Sequence, residues 1–166
     1  GGAYYELREY QKALDDLNKA AAGAKPDVSV FYHRGASRFA LGDYAGAISD
    51  LDRAINGGIS DAVVFDMRGW SRYQTKATAQ AITDLDEAIS RDSKFSLAYF
   101  HRGDARFVAN NVVGAIDDYT KAIANGHTDP ALFDSRGKAY ASQQNYAAAI
   151  ADFSMALQKK PDYLKA

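Results

Sequence analysis

The strongest constraint on this chain is a register that never slips. "FYHRGASRF" at 31–39 returns as "VFDMRGWSRY" at 64–73, "YFHRGDARF" at 99–107 and "LFDSRGKAY" at 132–140. The glycines Gly35, Gly69, Gly103 and Gly137 stand 34 residues apart. Small and apolar residues keep the same beat: Ala47, Ala81, Ala115 and Ala149, then Ala54, Ala88, Ala122 and Ala156. An aspartate recurs at Asp50, Asp84, Asp118 and Asp152, followed by Leu51, Leu85, Tyr119 and Phe153. Gly1 falls in the same frame, with Ala13, Leu14, Asp16, Leu17 and Ala20 at the matching offsets. A fixed period in this range is the mark of a solenoid. The units are a truncated one at 1–27, then 28–61, 62–95, 96–129 and 130–163, with 164–166 beginning another.

Each unit reads as two helices. Val28–Leu41 and Tyr44–Asn56 carry apolar residues at three- and four-residue spacing, which gives a helix one buried face. Between them Gly42 can take a positive φ, and Asp43 can cap the second helix. Asp27, Asp61 and Asp129 stand where first helices need caps, and Pro130 suits a first turn. "NGG" at 56–58, "NG" at 125–126 and "KKPD" at 159–162 close second helices. No useful stretch alternates with period two, so the fold class is all-α.

The pattern resembles the tetratricopeptide repeat (TPR). The carriers are the 34-residue unit, the aromatic four before the glycine (Phe31, Phe65, Tyr99, Phe133), "GDYAGAISDLDRAI" at 42–55, and Pro161. The resemblance spans the whole chain. Three departures mark it as one variety of the repeat: arginine precedes the glycine, most units lack the closing proline, and Thr78 replaces the tyrosine seen at Tyr44 and Tyr146. That variety resembles bacterial arrays. The resemblance implies a single right-handed superhelix of antiparallel helix pairs. It also implies a non-enzymatic scaffold or adaptor for protein–protein interaction.

Composition agrees and excludes other classes. The formal net charge is −1 with both signs interleaved, which gives no footprint for nucleic acid or an anionic membrane surface. Cysteine is absent, so there is no disulfide or thiolate chemistry, and cytoplasm and periplasm fit equally. No apolar run approaches a membrane span, and no signal peptide is visible. The chain opens at Gly1 without methionine, as a trimmed or excised piece does. His33 and His101 share an offset two units apart, too far to share a metal, and His127 stands off the pattern. No metalloprotease, phosphate-loop or nucleophile motif appears, so neither catalytic residues nor a cofactor are expected.

A glycine inside a helix costs about 1 kcal/mol relative to alanine. Repeating that cost in every unit implies a packing role, with Gly35 expected against Ala47 and Ala54 of the paired helix. Arg34, Arg68, Arg102 and Arg136 precede the glycines, and Arg38, Arg72 and Arg106 lie one turn later. With Asp16, Asp50, Asp84, Asp118 and Asp152 in register, they suggest a structural ladder of ion pairs. Spacing leaves open whether Arg34 meets Asp50 of its own unit or Asp16 of the preceding one.

The resemblance also implies a concave groove lined by first-helix side chains. The lining offsets give Tyr5 and Glu6, then Tyr32, His33, Ala36, Phe39 and Ala40. Asp66, Met67, Trp70, Tyr73 and Gln74 follow, then Phe100, His101, Asp104 and Phe107, and last Asp134, Ser135 and Lys138. This groove is aromatic, with the single tryptophan near its middle, and carries four acids against one lysine. Phe39, Tyr73 and Phe107 also suit packing between first helices; Tyr32, Trp70 and Phe100 are the stronger contact candidates. The lysine-rich clamp that some adaptors of this family use on C-terminal carboxylates is missing. Tyr32, His33, Ala36, Val63 and Met67 occupy its places. The expected partner is a protein or peptide with apolar and basic side chains. The alternatives are self-association through uncapped array ends, and a regulatory module of a larger protein.

Overall fold

The computed structural model describes residues 2–160, with side chains from residue 9 onward. Among these residues there are nine helices and no strand. They are α1 (Gly2–Ala21), α2 (Val28–Ala40), α3 (Tyr44–Asn56), α4 (Ala62–Gln74), α5 (Thr78–Arg91), α6 (Ser96–Val108), α7 (Val112–Ala124), α8 (Pro130–Ser142) and α9 (Tyr146–Lys159). The chain forms two compact bodies, Gly1–Arg91 and Asp92–Ala166. In the first, α2 pairs with α3 and α4 with α5, while α1 lies on α2, α3 on α4, and α2 also touches α4. In the second, α6 pairs with α7 and α8 with α9, with α7 on α8 and α6 touching α8.

Local chemistry sets the helix ends. Asp27 accepts the Ser29 N–H at 2.8 Å, and Asp129 accepts that of Ala131 at 2.8 Å beside Pro130 in the first turn. Asp61 holds the same position with no side-chain capping bond, contrary to expectation. Second helices are capped by Asp43, Asn111 and Asn145, each accepting the N–H three residues on. The first helix ends at Ala40, one residue short of expectation, because Leu41 is its C-cap. The turn between paired helices then requires a positive φ at a fixed offset: Gly42 (79°), Lys76 (69°), Asn110 (62°) and Gln144 (61°). Three non-glycine residues adopt it because the register admits no other turn.

The core alternates alanines with one large residue. Ala47, Ala54, Ala81, Ala88, Ala115 and Ala122 are fully covered, as are Leu51, Leu85 and Tyr119. The side chain nearest each repeat glycine is the large residue of the second helix rather than an alanine. A Cβ on Gly35 would lie 3.0 Å from Leu51 Cγ and Cδ2 and 3.3 Å from Asp50 Cβ. On Gly69 it would meet Leu85 Cγ at 2.8 Å, with the Ala81 carbonyl at 3.2 Å. On Gly103 it would meet the Tyr119 ring at 2.5 Å, and on Gly137 the Phe153 ring at 2.7 Å. The missing side chain makes room for the large residue of the second helix. Among the described residues, no helix is long and apolar enough to cross a membrane.

Candidate functional site: the first-helix face and the ion pairs behind it

The arginine before each inner glycine forks onto the aspartate of its own unit. Arg34 donates through Nε and Nη2 to the two Asp50 oxygens at 2.8 and 2.6 Å. Arg68 does so to Asp84 (2.9 and 2.6 Å), Arg102 to Asp118 (2.9 and 2.6 Å), and Arg136 to Asp152 (both 2.8 Å). In three units a second arginine joins the same carboxylate: Arg38 at 2.7 Å, Arg72 at 2.8 Å and Arg106 at 2.8 Å. In the fifth unit that place is Tyr140, whose ring lies 5.8 Å from the Arg136 guanidinium. All four carboxylates are buried. The remaining arginine nitrogen reaches back to the preceding unit: Arg34 to Asn18, Arg68 to Asp52 and Arg136 to Thr120. Hydrogen bonding to Asp50 raises the Arg34 pKa against the opposing pull of burial, and Asp152 does the same for Arg136.

Asp16 stands outside this arrangement. Its side chain is exposed and meets Lys19 one turn on at 3.3 Å. Behind the forks, aromatic rings are held between cations. Phe31 lies 5.7 Å from Arg34 and 5.0 Å from Arg53, and Phe65 lies 5.6 Å from Arg68 and 4.6 Å from Arg91. Such contacts contribute about 0.5–1 kcal/mol where partly exposed.

On the first-helix face, Tyr5 and Glu6 lie outside the described side chains. In the first body Tyr32 is half-buried, edge-on to the exposed His33 at 5.2 Å. Phe39 is half-buried against Tyr44. Trp70 and Tyr73 stack at 4.9 Å with an interplanar angle of 29°, both half-buried. Asp66 and Met67, expected in the lining, are buried. In the second body Phe100, Asp104 and Phe107 are half-buried and Lys138 is exposed, whereas His101 and Asp134 are buried. First helices also touch within each body, α2 with α4 and α6 with α8, and the same offsets are covered in some units and open in others. Lys138 Nζ lies 2.6 Å from Asp134.

Two groups in the second body escaped the repeat pattern. Tyr119, a core residue by position, donates its hydroxyl to Asp104 at 2.8 Å. His127, between α7 and α8, stacks on Phe100 at 5.1 Å, and its buried Nε2 has no hydrogen-bond partner. Burial lowers the His127 pKa, opposed by the charge of Asp129. No signal marks His127 in advance, because Ile59 and Ser93 fill its offset in other units. Among the described residues, no group of three or more His, Cys, Asp or Glu side chains is gathered as a metal site.

Paired helices on a constant register, locked from behind and displaying aromatic side chains from the first helix, define the class of helical repeat proteins. The tetratricopeptide repeat family model matches residues 1–62 and 67–130, and the chain belongs to that family. No curated protein matches it in sequence. Among solved structures, MamA 41-end from Desulfovibrio magneticus RS-1 is similar with a TM-score of 0.82 at 18% identity, covering 97% of this chain and 92% of that one. Another MamA crystal structure gives 0.76 at 23% identity, covering 96% and 90%. YrrB, described as a TPR protein with an unusual peptide-binding site, gives 0.78 at 19% identity, covering 96% and 82%. At these identities the likeness concerns the fold.

Proposed function

We propose that this chain is a non-enzymatic interaction module that binds a segment of another protein on its first-helix face, through aromatic anchors. The fold is that of an interaction scaffold. The observation that carries the finer reading is the stacked Trp70–Tyr73 pair. It lies on the first helix rather than among the fully buried core residues, and large aromatic side chains dominate interface energetics. The exposed aromatic surface together with the half-buried Asp104 favours a partner with apolar and basic side chains. Trp70 is the only tryptophan, so its fluorescence reports directly on that face. Titration with a panel of short synthetic peptides should shift its emission saturably for apolar, basic sequences. By calorimetry, Trp70→Ala should weaken the same peptides at least tenfold, about 1.4 kcal/mol. Equal affinity in wild type and variant would remove Trp70 from the site.

A second reading, self-association, has its own observation. Tyr146, Ile150 and Leu157 of α9 form an apolar stripe exposed by 62%, 65% and 38%. Their counterparts on α7, Val112, Ile116 and Ile123, are half-buried, and α7 packs on α8. Light scattering across a concentration series tests it: a constant monomer mass argues against assembly.

A further inference from the structure

Asp104 is the one acid directly after an inner glycine; the matching positions hold Ala36, Trp70 and Lys138. Phe100 lies one turn before it and Phe107 one turn after, so the three share one face of α6. All three are half-buried, and Phe100 and Phe107 also pack against the buried Ala115, Tyr119 and Ala139, leaving part of each ring at the surface. The Asp104 carboxylate is held by two neutral donors, the Tyr119 hydroxyl at 2.8 Å and the Ser135 hydroxyl of α8. The nearest basic side chains are Lys138 and His101. Lys138 Nζ lies on Asp134, and His101 is buried beside Phe100. This corner of the face therefore holds two carboxylates, Asp104 and Asp134, for one lysine ammonium.

We propose that Phe100, Asp104 and Phe107 form a subsite for one basic side chain of the bound segment, with Asp104 receiving the ammonium or guanidinium and the two rings flanking its stem. The subsite deepens the interaction reading above and rests on it. Charge complementarity selects the occupant. Burial raises the Asp104 pKa despite the two hydroxyl bonds, so the carboxylate gains from any added cation. A charge-assisted bond in a partly desolvated place is stronger than a neutral one, and aromatic flanks favour a cation further. An acidic side chain would meet two like charges there. A purely apolar one would leave the carboxylate covered without compensation.

The test uses the full chain and an array of short random-sequence peptides. Wild-type binders should share a lysine or arginine at one position, and replacing it with norleucine should weaken binding about tenfold. Asp104→Asn keeps an acceptor for Tyr119; it should bind the basic peptides about tenfold more weakly and no longer distinguish lysine from norleucine. Its affinity for the norleucine forms should match wild type, which separates lost recognition from lost folding. Lys138→Ala, which removes the resident ammonium, should tighten the basic peptides. Binders without a basic preference would overturn the subsite while leaving the interaction module standing, as would an Asn variant that still distinguishes the two residues. Failure of any peptide to bind wild type would overturn both.

Discussion

The two bodies share one backbone register yet fill it differently. In the first, Gly35 and Gly69 lie over leucines, and two arginines close on each buried carboxylate. In the second, Gly103 and Gly137 lie over the rings of Tyr119 and Phe153, and the last carboxylate has one arginine, with Tyr140 in the other's place. A leucine can turn aside from an intruding atom, whereas a flat ring pressed on the helix cannot. The aromatic choice also carries chemistry through the helix pair: the Tyr119 hydroxyl reaches Asp104 on the opposite helix. What sits beneath the scaffold glycine thus helps decide what the face displays.

The largest expected effect breaks the ladder where it is most charged. Asp84→Asn leaves Arg68 and Arg72 without their buried counter-charge and should cost about 3–5 kcal/mol. Asp152→Asn strands only Arg136 and should cost about 1–3 kcal/mol. Urea unfolding followed by circular dichroism compares them, and equal losses would remove the second arginine from the account. Next in size is the glycine itself. Gly103→Ala should lose about 1–3 kcal/mol, because the Tyr119 ring must move. At Gly35 the leucine can yield and alanine's helix propensity returns about 1 kcal/mol, so Gly35→Ala should stay near wild type. Similar melting temperatures for the two variants would erase the leucine–ring distinction.

The smallest effect belongs to His127, whose offset in the first body is Ile59. Its folded pKa lies below the ordinary value of 6.5, chiefly through burial. The unfolded chain therefore binds this proton first, and stability falls as pH drops below about 6.5 towards the lower folded value. Thermal melts between neutral and mildly acidic pH should show this loss, and His127→Gln should flatten it. Asp104, with a raised pKa, acts in the other sense: its contribution is lost as pH rises from the ordinary carboxylate value.

The period made helix number, pairing and fold class legible, because a strict register leaves few ways to bury its apolar positions. It did not show which residues meet across a pair. Gly35 was expected on Ala47 and Ala54, and the atoms nearest to it belong to Leu51 and Asp50: periodicity identifies shared positions, and the rotation of one helix against the other decides which of them come closest. The arginine's choice was open for a similar reason. Asp50 and Asp16 are nearly equidistant from Arg34 in sequence, and only the geometry of the pair selects Asp50. On the face, Asp66, Met67, His101 and Asp134 are buried because a side chain that meets a neighbouring helix carries the same amphipathic signature as one that meets a ligand. His127 escaped altogether, since a periodic reading has no purchase on a residue that occurs once.

The way each fork closes bears on how such an array can grow. Both of its short bonds fall inside one unit, so a repeat carries its own fastening and can be duplicated, deleted or transplanted without undoing it. Across the seam Arg34 meets an amide at Asn18, Arg68 and Arg72 meet a carboxylate at Asp52, and Arg136 meets a hydroxyl at Thr120. Shuffled repeats would therefore keep their own fastening and be retuned at the seam, where the partner's chemistry differs from one module to the next.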